Sequence, residues 1–228
     1  MADLPKDRVE PSTPFTYCGM DCFGPFVVKM GRKEIKRYGL LLTCMCSRAI
    51  HIEMLDDMPT DAFINALRCF IAIRGSVRQI RSDQGTNFIG AKNEFEREAK
   101  VNKLSSFLVE RQCDFVLNPP SASHTGGVWE RQIRTVRSIL NSVLSLCPGR
   151  LDDASLRTVF YEVMSIVNSC PLTVSEIDNP EALEPLTPNH ILTAKSSIPQ
   201  PPPGDFLKED LYLHKSGMNR VGTFVVET

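Results

Sequence analysis

The order of patterns along this chain predicts an α/β fold, a mixed sheet flanked by helices. Three observations carry that expectation. Runs rich in Val, Ile, Leu, Phe and Tyr, separated by turn residues, fill most of positions 15 to 54 and read as strands. Two later apolar runs too short for helices, Val77 to Ile80 and Cys113 to Leu117, stand between stretches with helical character. Two amphipathic helical patterns follow, so strands and helices are interleaved as in a sheet with helices on its faces.

Taken in order, Met1 to Pro14 is polar, contains Pro5, Pro11 and Pro14, and reads as an extended leader. Phe15 to Phe23 suits a strand ending at a Gly24-Pro25 turn. Phe26 to Met30 and Ile35 to Cys46 flank the basic turn Gly31-Arg32-Lys33, and Ala49 to Met54 runs back, which makes an antiparallel meander. Thr60 and Asp61 open a helix that places Phe63, Leu67, Phe70 and Ile71 on one face, with Gly75 positioned to end it. The short strand Val77 to Ile80 leads into the polar loop Arg81 to Phe88. Asn87 to Val101 reads as a charged helix, Leu104 to Arg111 as a short one, and Cys113 to Leu117 as a strand. A breaker-rich loop, Pro119 to Gly127, feeds a helix that runs on to Leu144, and Asp153 to Ser169 forms another, capped by the Asp152-Asp153 pair. Beyond Pro171 the periodicity stops and proline accumulates, notably from Pro199 to Pro203. The expected division is a leader over 1–14, a core over 15–170 and a proline-rich, irregular tail over 171–228.

Composition excludes several classes. The 228 residues suffice for one good-sized domain with a tail. No apolar run approaches the ~20 residues of a membrane span, and Met1-Ala2-Asp3-Leu4-Pro5 lacks the basic start and apolar stretch of a signal peptide. An intracellular protein is expected. Its eight cysteines are scattered through apolar runs without a Cys-x-x-Cys pair, so reduced thiols are expected rather than disulfides, and the four histidines offer no zinc spacing. The net charge of −1 hides an asymmetry: residues 1–150 hold 21 Lys/Arg against 16 Asp/Glu, net +5, and residues 151–228 hold 5 against 11, net −6. A basic body suits phosphate binding, and equally a solvated surface. The cluster Arg32, Lys33, Lys36, Arg37 reads as a nuclear address, a phosphate contact or a solvated hairpin.

Three carboxylates have possible chemical roles. On the helix after Gly127, Trp129, Ile133, Val136, Leu140, Val143 and Leu144 fall in one arc of roughly 100° and face a core. Glu130, Arg134, Arg137 and Asn141 share a neighbouring face, either as a surface ion-pair ladder or as one carboxylate leading a basic stripe. Asp21 sits among apolar residues, where burial demands a cation, metal or strong donor unless it merely starts the Gly24-Pro25 turn. Asp83 falls at a strand tip, where open sheets collect ligand groups, or serves only turn chemistry.

Thr16 to Pro25, Ser82-Asp83-Gln84-Gly85-Thr86-Asn87-Phe88 and Gly126-Gly127-Val128-Trp129-Glu130-Arg131 together resemble the integrase core of retroviruses and long-terminal-repeat retrotransposons. Pro185-Leu186-Thr187-Pro188-Asn189-His190 is similar to the BEL/Pao group of these elements. The resemblance implies a ribonuclease-H-like fold with a five-stranded mixed sheet, and an Asp21, Asp83, Glu130 triad holding two Mg²⁺ or Mn²⁺ ions. It further implies a polynucleotidyl transferase that trims DNA 3′ ends and joins them to target DNA. Arg134, Arg137, Asn141, His124 and Asn87 would contact that DNA, within a homodimer or a larger assembly. The 46 residues between Asp83 and Glu130 exceed the spacing of the retroviral pattern, which suggests an insertion around Ala99 to Arg111. The family's amino-terminal zinc domain and carboxy-terminal barrel are not matched, so a core cut from a longer polyprotein is expected. A non-catalytic, domesticated DNA-binding module and a nuclease of the same fold are the competing readings.

Overall fold

The computed structural model of the protein describes residues 9–56, 60–83, 94–118, 123–146, 151–173 and 185–195. Five strands, β1 (Tyr17–Met30), β2 (Lys33–Cys44), β3 (Ile50–Leu55), β4 (Gln79–Asp83) and β5 (Asp114–Asn118), form one sheet in the order β3-β2-β1-β4-β5. Pairing is antiparallel from β1 to β2 to β3, and parallel from β1 to β4 to β5. The sheet is therefore mixed, as expected, with β1 at its centre.

Helices α1 (Thr60–Arg74) and α2 (Glu94–Val109) cover one face, α3 (Ser123–Leu146) and α4 (Asp153–Asn168) the other. A short α5 (Pro188–Thr193) lies within the proline-rich tail. Side chains alternate between the faces with the period of two that a strand imposes. Cys18, Met20, Cys22, Leu40 and Leu42 join Phe63, Leu67 and Phe70 of α1 and Leu104 and Leu108 of α2 in one core. Phe23, Leu41, Ile50 and Ile52 join Ile133, Val136, Leu140, Val159, Phe160 and Val163 in the other. No described helix is long and apolar enough to cross a membrane.

Local chemistry sets the helix ends. Gly75, at φ 89°, closes α1 by donating its N–H to Ile71 O at 2.9 Å. Asp152 caps α4 by accepting the Ser155 N–H at 2.7 Å. Its neighbour Asp153 accepts two bonds, both 2.9 Å, from the Arg37 guanidinium, whose Nη1 also donates to Asp56 O. Arg37 thus ties β2 to α4 and does not belong to a freely solvated hairpin. At the other end of α4, the buried Asn168 amide pairs with both backbone groups of Ile50, accepting at 2.7 Å and donating at 2.9 Å. That bond pair seals part of the β3 edge.

The structure departs from the expected elements in several places, among them β2, which spans Lys33–Cys44 where Ile35 to Cys46 was expected, and the short α5 in a tail expected to be irregular. β1 does not end at Gly24-Pro25. It passes through a register shift between Phe23 and Phe26, because β2 offers partners as far as Met30 and because Phe26 packs edge-on against Phe23 and Phe160. β4 extends three residues further than expected, to Asp83, since β5 pairs it as far as Asn118. The expected break between Val101 and Leu104 is absent: Leu104 and Leu108, one helical turn apart, are both buried and carry α2 through without interruption. Finally, α3 begins at Ser123, so His124, Gly126 and Gly127 lie in its first turns instead of a mobile loop. The expected Asn87 start of the charged helix falls outside the described residues. Among the described residues every cysteine is a free thiol, as the composition implied.

Candidate active site

The site is built on the sheet face that α3 covers. Gly19, Asp21 and Phe23 alternate with Cys18, Met20 and Cys22, which point into the α1/α2 core. Asp21 is the Cα partner of Leu41, a residue of the α3/α4 core, so its side chain belongs to the same face. In the parallel pairing of β1 with β4, Gly19 is partnered with Arg81 and Met20 with Ser82. The pairing ends there; carried one residue further, the same register would bring Asp21 level with Asp83, the last residue of β4, whose backbone is partnered with Asn118 on its other side. Neighbouring strands lie about 4.8 Å apart, so the two acidic positions close the same end of β1 and β4. Asp83 is described through its backbone only.

A glycine brings the helix to them. A Cβ at Gly19 would collide with the indole of Trp129, whose Cδ2 lies 2.8 Å from that position. Trp129 is completely buried and packs with Tyr17 and Met45 in a small cluster of its own. Its ring therefore rests on β1 two residues before Asp21, and Glu130 is the next residue along α3. The residues that repeat one, two and three turns further on, Ile133, Val136 and Leu140, are buried as the helical arc implied, and Ile139 widens that face. Glu130 is half-buried, while Arg134, Arg137 and Asn141 are exposed along the same side of the helix. Among the described residues no salt bridge links Glu130 to Arg134.

Asp21 is partly buried, and its Oδ1 accepts the Cys22 N–H at 2.7 Å. Its position between apolar strand residues gives its carboxylate a reason to engage a cation. The three acidic positions supply only oxygen donors, which fit a hard divalent ion such as Mg²⁺ and not a soft one. Among the described residues no group of three His, Cys, Asp or Glu side chains forms a metal cluster. His124 lies in the first turn of α3, with only its backbone described, and Asn87 lies outside the described residues. Arg81 was not singled out from the sequence, where it read as a loop residue. Its partnership with Gly19 puts it on the α3 face, a position the alternation Gln79, Arg81, Asp83 could have signalled.

No protein-family model matches the chain, and no curated protein does. Solved structures do. A chain of the simian T-cell lymphotropic virus intasome, in complex with the PP2A regulatory subunit B56 gamma, superposes with a TM-score of 0.54 at 14% identity over 86% of this chain. This chain spans 61%, about three-fifths, of that one. The HTLV-2 integrase catalytic core domain, in complex with magnesium and in a dimeric form, gives a TM-score of 0.52 at 17% identity, covering 79% of this chain and 97% of that domain. The BIV integrase catalytic core domain gives 0.50 at 12% identity, over 70% and 88%. The fold is that of retroviral integrase catalytic cores. The described residues form the mixed five-stranded sheet with paired helices on each face, and at these identities the likeness is one of architecture.

Proposed function

We propose that this chain is a DNA integrase core of the BEL/Pao retrotransposon type, a polynucleotidyl transferase that processes DNA 3′ ends and joins them to target DNA. The observation that supports the reading is that Trp129 seats α3, with Glu130 next along it, on Gly19 of the sheet face that carries Asp21, while Asp83 follows the last β1–β4 pair by one residue. Asp21, Asp83 and Glu130 would hold two Mg²⁺ or Mn²⁺ ions. When bound, such a pair stabilises the entering and departing oxygens of an in-line displacement at phosphorus.

The chain's own side chains have the complementary tasks. Arg134 and Arg137, exposed beside Glu130, line up on DNA phosphates and hold the strand against the acidic face, where each contact adds sequence-independent affinity. Asn141 extends that row by one turn, and His124 and Asn87 position the strand end from the flanking segments. Arg81 offers a further cation on the same face. With water as nucleophile the reaction trims an end; with the 3′-hydroxyl it joins that end to a second duplex. The partners are DNA and further copies of the chain, as a homodimer or larger assembly, acting in the nucleus.

Purified protein incubated with Mn²⁺ and a branched DNA substrate is expected to show strand transfer or its reversal. Glu130→Gln is expected to reduce it to background while leaving the thermal transition in place. Equal activity in wild type and variant sinks the catalytic reading. DNA binding without any Mn²⁺ or Mg²⁺ binding by calorimetry would assign a non-catalytic DNA-binding module instead, and cleavage of an RNA/DNA hybrid a nuclease.

A further inference from the structure

β2 ends at Cys44, and the chain turns back to β3 through Met45, Cys46, Ser47 and Arg48. The turn is tightly determined: Cys44 N–H donates to Ala49 O at 2.8 Å, Arg48 N–H to Cys44 O at 3.1 Å, and Met45 N–H to Tyr17 O at 2.9 Å. It brings the sulfurs of Cys44 and Cys46 to 3.4 Å from each other. Their environments differ. Cys44 is completely buried and its sulfur accepts the Phe15 N–H at 3.1 Å, whereas Cys46 is exposed, with Ser12 Oγ at 3.9 Å. One thiol meets solvent and the other is reached through it. A disulfide has an S–S length of about 2.05 Å, so closure needs about 1.4 Å of approach, which the exposed side chain can supply.

The same turn touches α3 on either side of Glu130. Met45 shares a buried cluster with Trp129 and Tyr17, and Arg48 O accepts a hydrogen bond from the Gln132 amide at 3.1 Å. A change of shape between Cys44 and Cys46 therefore reaches the helix through two contacts.

We infer that Cys44 and Cys46 form a redox-sensitive dithiol whose oxidation by hydrogen peroxide is transmitted through Met45 and Arg48 to Trp129 and Gln132. In the first step the Cys46 sulfur attacks a peroxide oxygen, the O–O bond breaks, and a sulfenic acid and one water form. In the second the Cys44 sulfur attacks that sulfenic sulfur, the S–S bond forms and a second water leaves. The peroxide is reduced by the two electrons that the thiols lose. Burial, and then the adjacent Cys44, raise the Cys46 thiol above its ordinary pKa, so thiolate is scarce and the first step needs a sustained excess of oxidant. The inference rests on this turn and is independent of the nucleic-acid reading.

Trypsin releases Tyr38–Arg48, which holds these two cysteines and no others, and Trp129 is the chain's single tryptophan. After hydrogen peroxide treatment and iodoacetamide blocking of the whole chain, that peptide is expected to be unalkylated and lighter by two hydrogens. The Trp129 emission is expected to change with the same time course, and a dithiol reductant to reverse both. Cys46→Ser should lose both responses, and Cys69→Ser, at an exposed position on α1, should keep them. The inference is overturned if Cys46 proceeds to sulfinic acid while Cys44 remains alkylatable after unfolding. It is equally overturned if Cys18 cross-links to Cys44, or if the disulfide forms with unchanged emission.

Discussion

A missing side chain at Gly19 lets the widest ring in the protein lie directly on the central strand, and the turn of α3 that bears Glu130 is held to β1 by that contact. Gly19→Ala places a methyl group where Trp129 Cδ2 stands 2.8 Å away, so α3 must lift or the ring must leave its rotamer. Overpacking of this kind costs about 1–3 kcal/mol. The expected outcome is a lower denaturation midpoint with altered Trp129 emission in the folded state; a variant identical to wild type in both would contradict the seat described for α3. At this scale the sequence was informative about charge and poor about space. Asp21, Asp83 and Glu130 stood out because carboxylates in apolar or turn surroundings need a reason. Gly19 looked like any strand glycine, although a glycine inside a strand often marks close approach of another group. Which group approaches is decided 110 residues further along the chain, where no local pattern reaches.

Individual elements were legible where two local signals agreed. The apolar period and the Gly75 stop both define α1, and the Asp152 cap and apolar stripe both define α4. They were misread at local breakers: β2 carries β1 past Gly24-Pro25, and α3 runs back through two glycines to Ser123. The cap of α4 yields a pH prediction. The Ser155 N–H bond to Asp152 holds its carboxyl below the ordinary value of 3.8. A carboxyl lowered on folding adds stability that is fully present above its unfolded pKa and is lost as pH falls through the folded one. Asp152→Asn keeps an acceptor for Ser155 but cannot titrate. The stability of wild type is therefore expected to fall more steeply than that of Asp152→Asn on acidification below about pH 4, so that the two curves converge. Parallel curves in denaturant titrations over that range would remove the cap from the acid response.

Across the whole molecule, the sheet divides two kinds of work. The α1/α2 face is a closed core that extends through Leu104 and Leu108, while on the α3/α4 side the Arg134, Arg137, Asn141 row is turned toward solvent. A chain with a formal net charge of −1 can thus meet a polyanion only through a local basic surface, so the salt dependence of DNA binding reports which residues make it. On duplex DNA each phosphate contact contributes about 0.9 to the slope of log K against log salt concentration. Arg134→Ala and Arg137→Ala are each expected to lower that slope by about 0.9, with equal weakening on unrelated sequences, because phosphates carry no base identity. Arg37→Ala provides the contrast. Its guanidinium is engaged by Asp153, so it should lower stability by releasing α4 from β2 and leave the salt slope unchanged. If the slope instead falls with Arg37 and is indifferent to Arg134 and Arg137, the DNA path runs over the β1–β2 hairpin and away from Glu130. The three acidic positions would then lie off the strand they are proposed to cut.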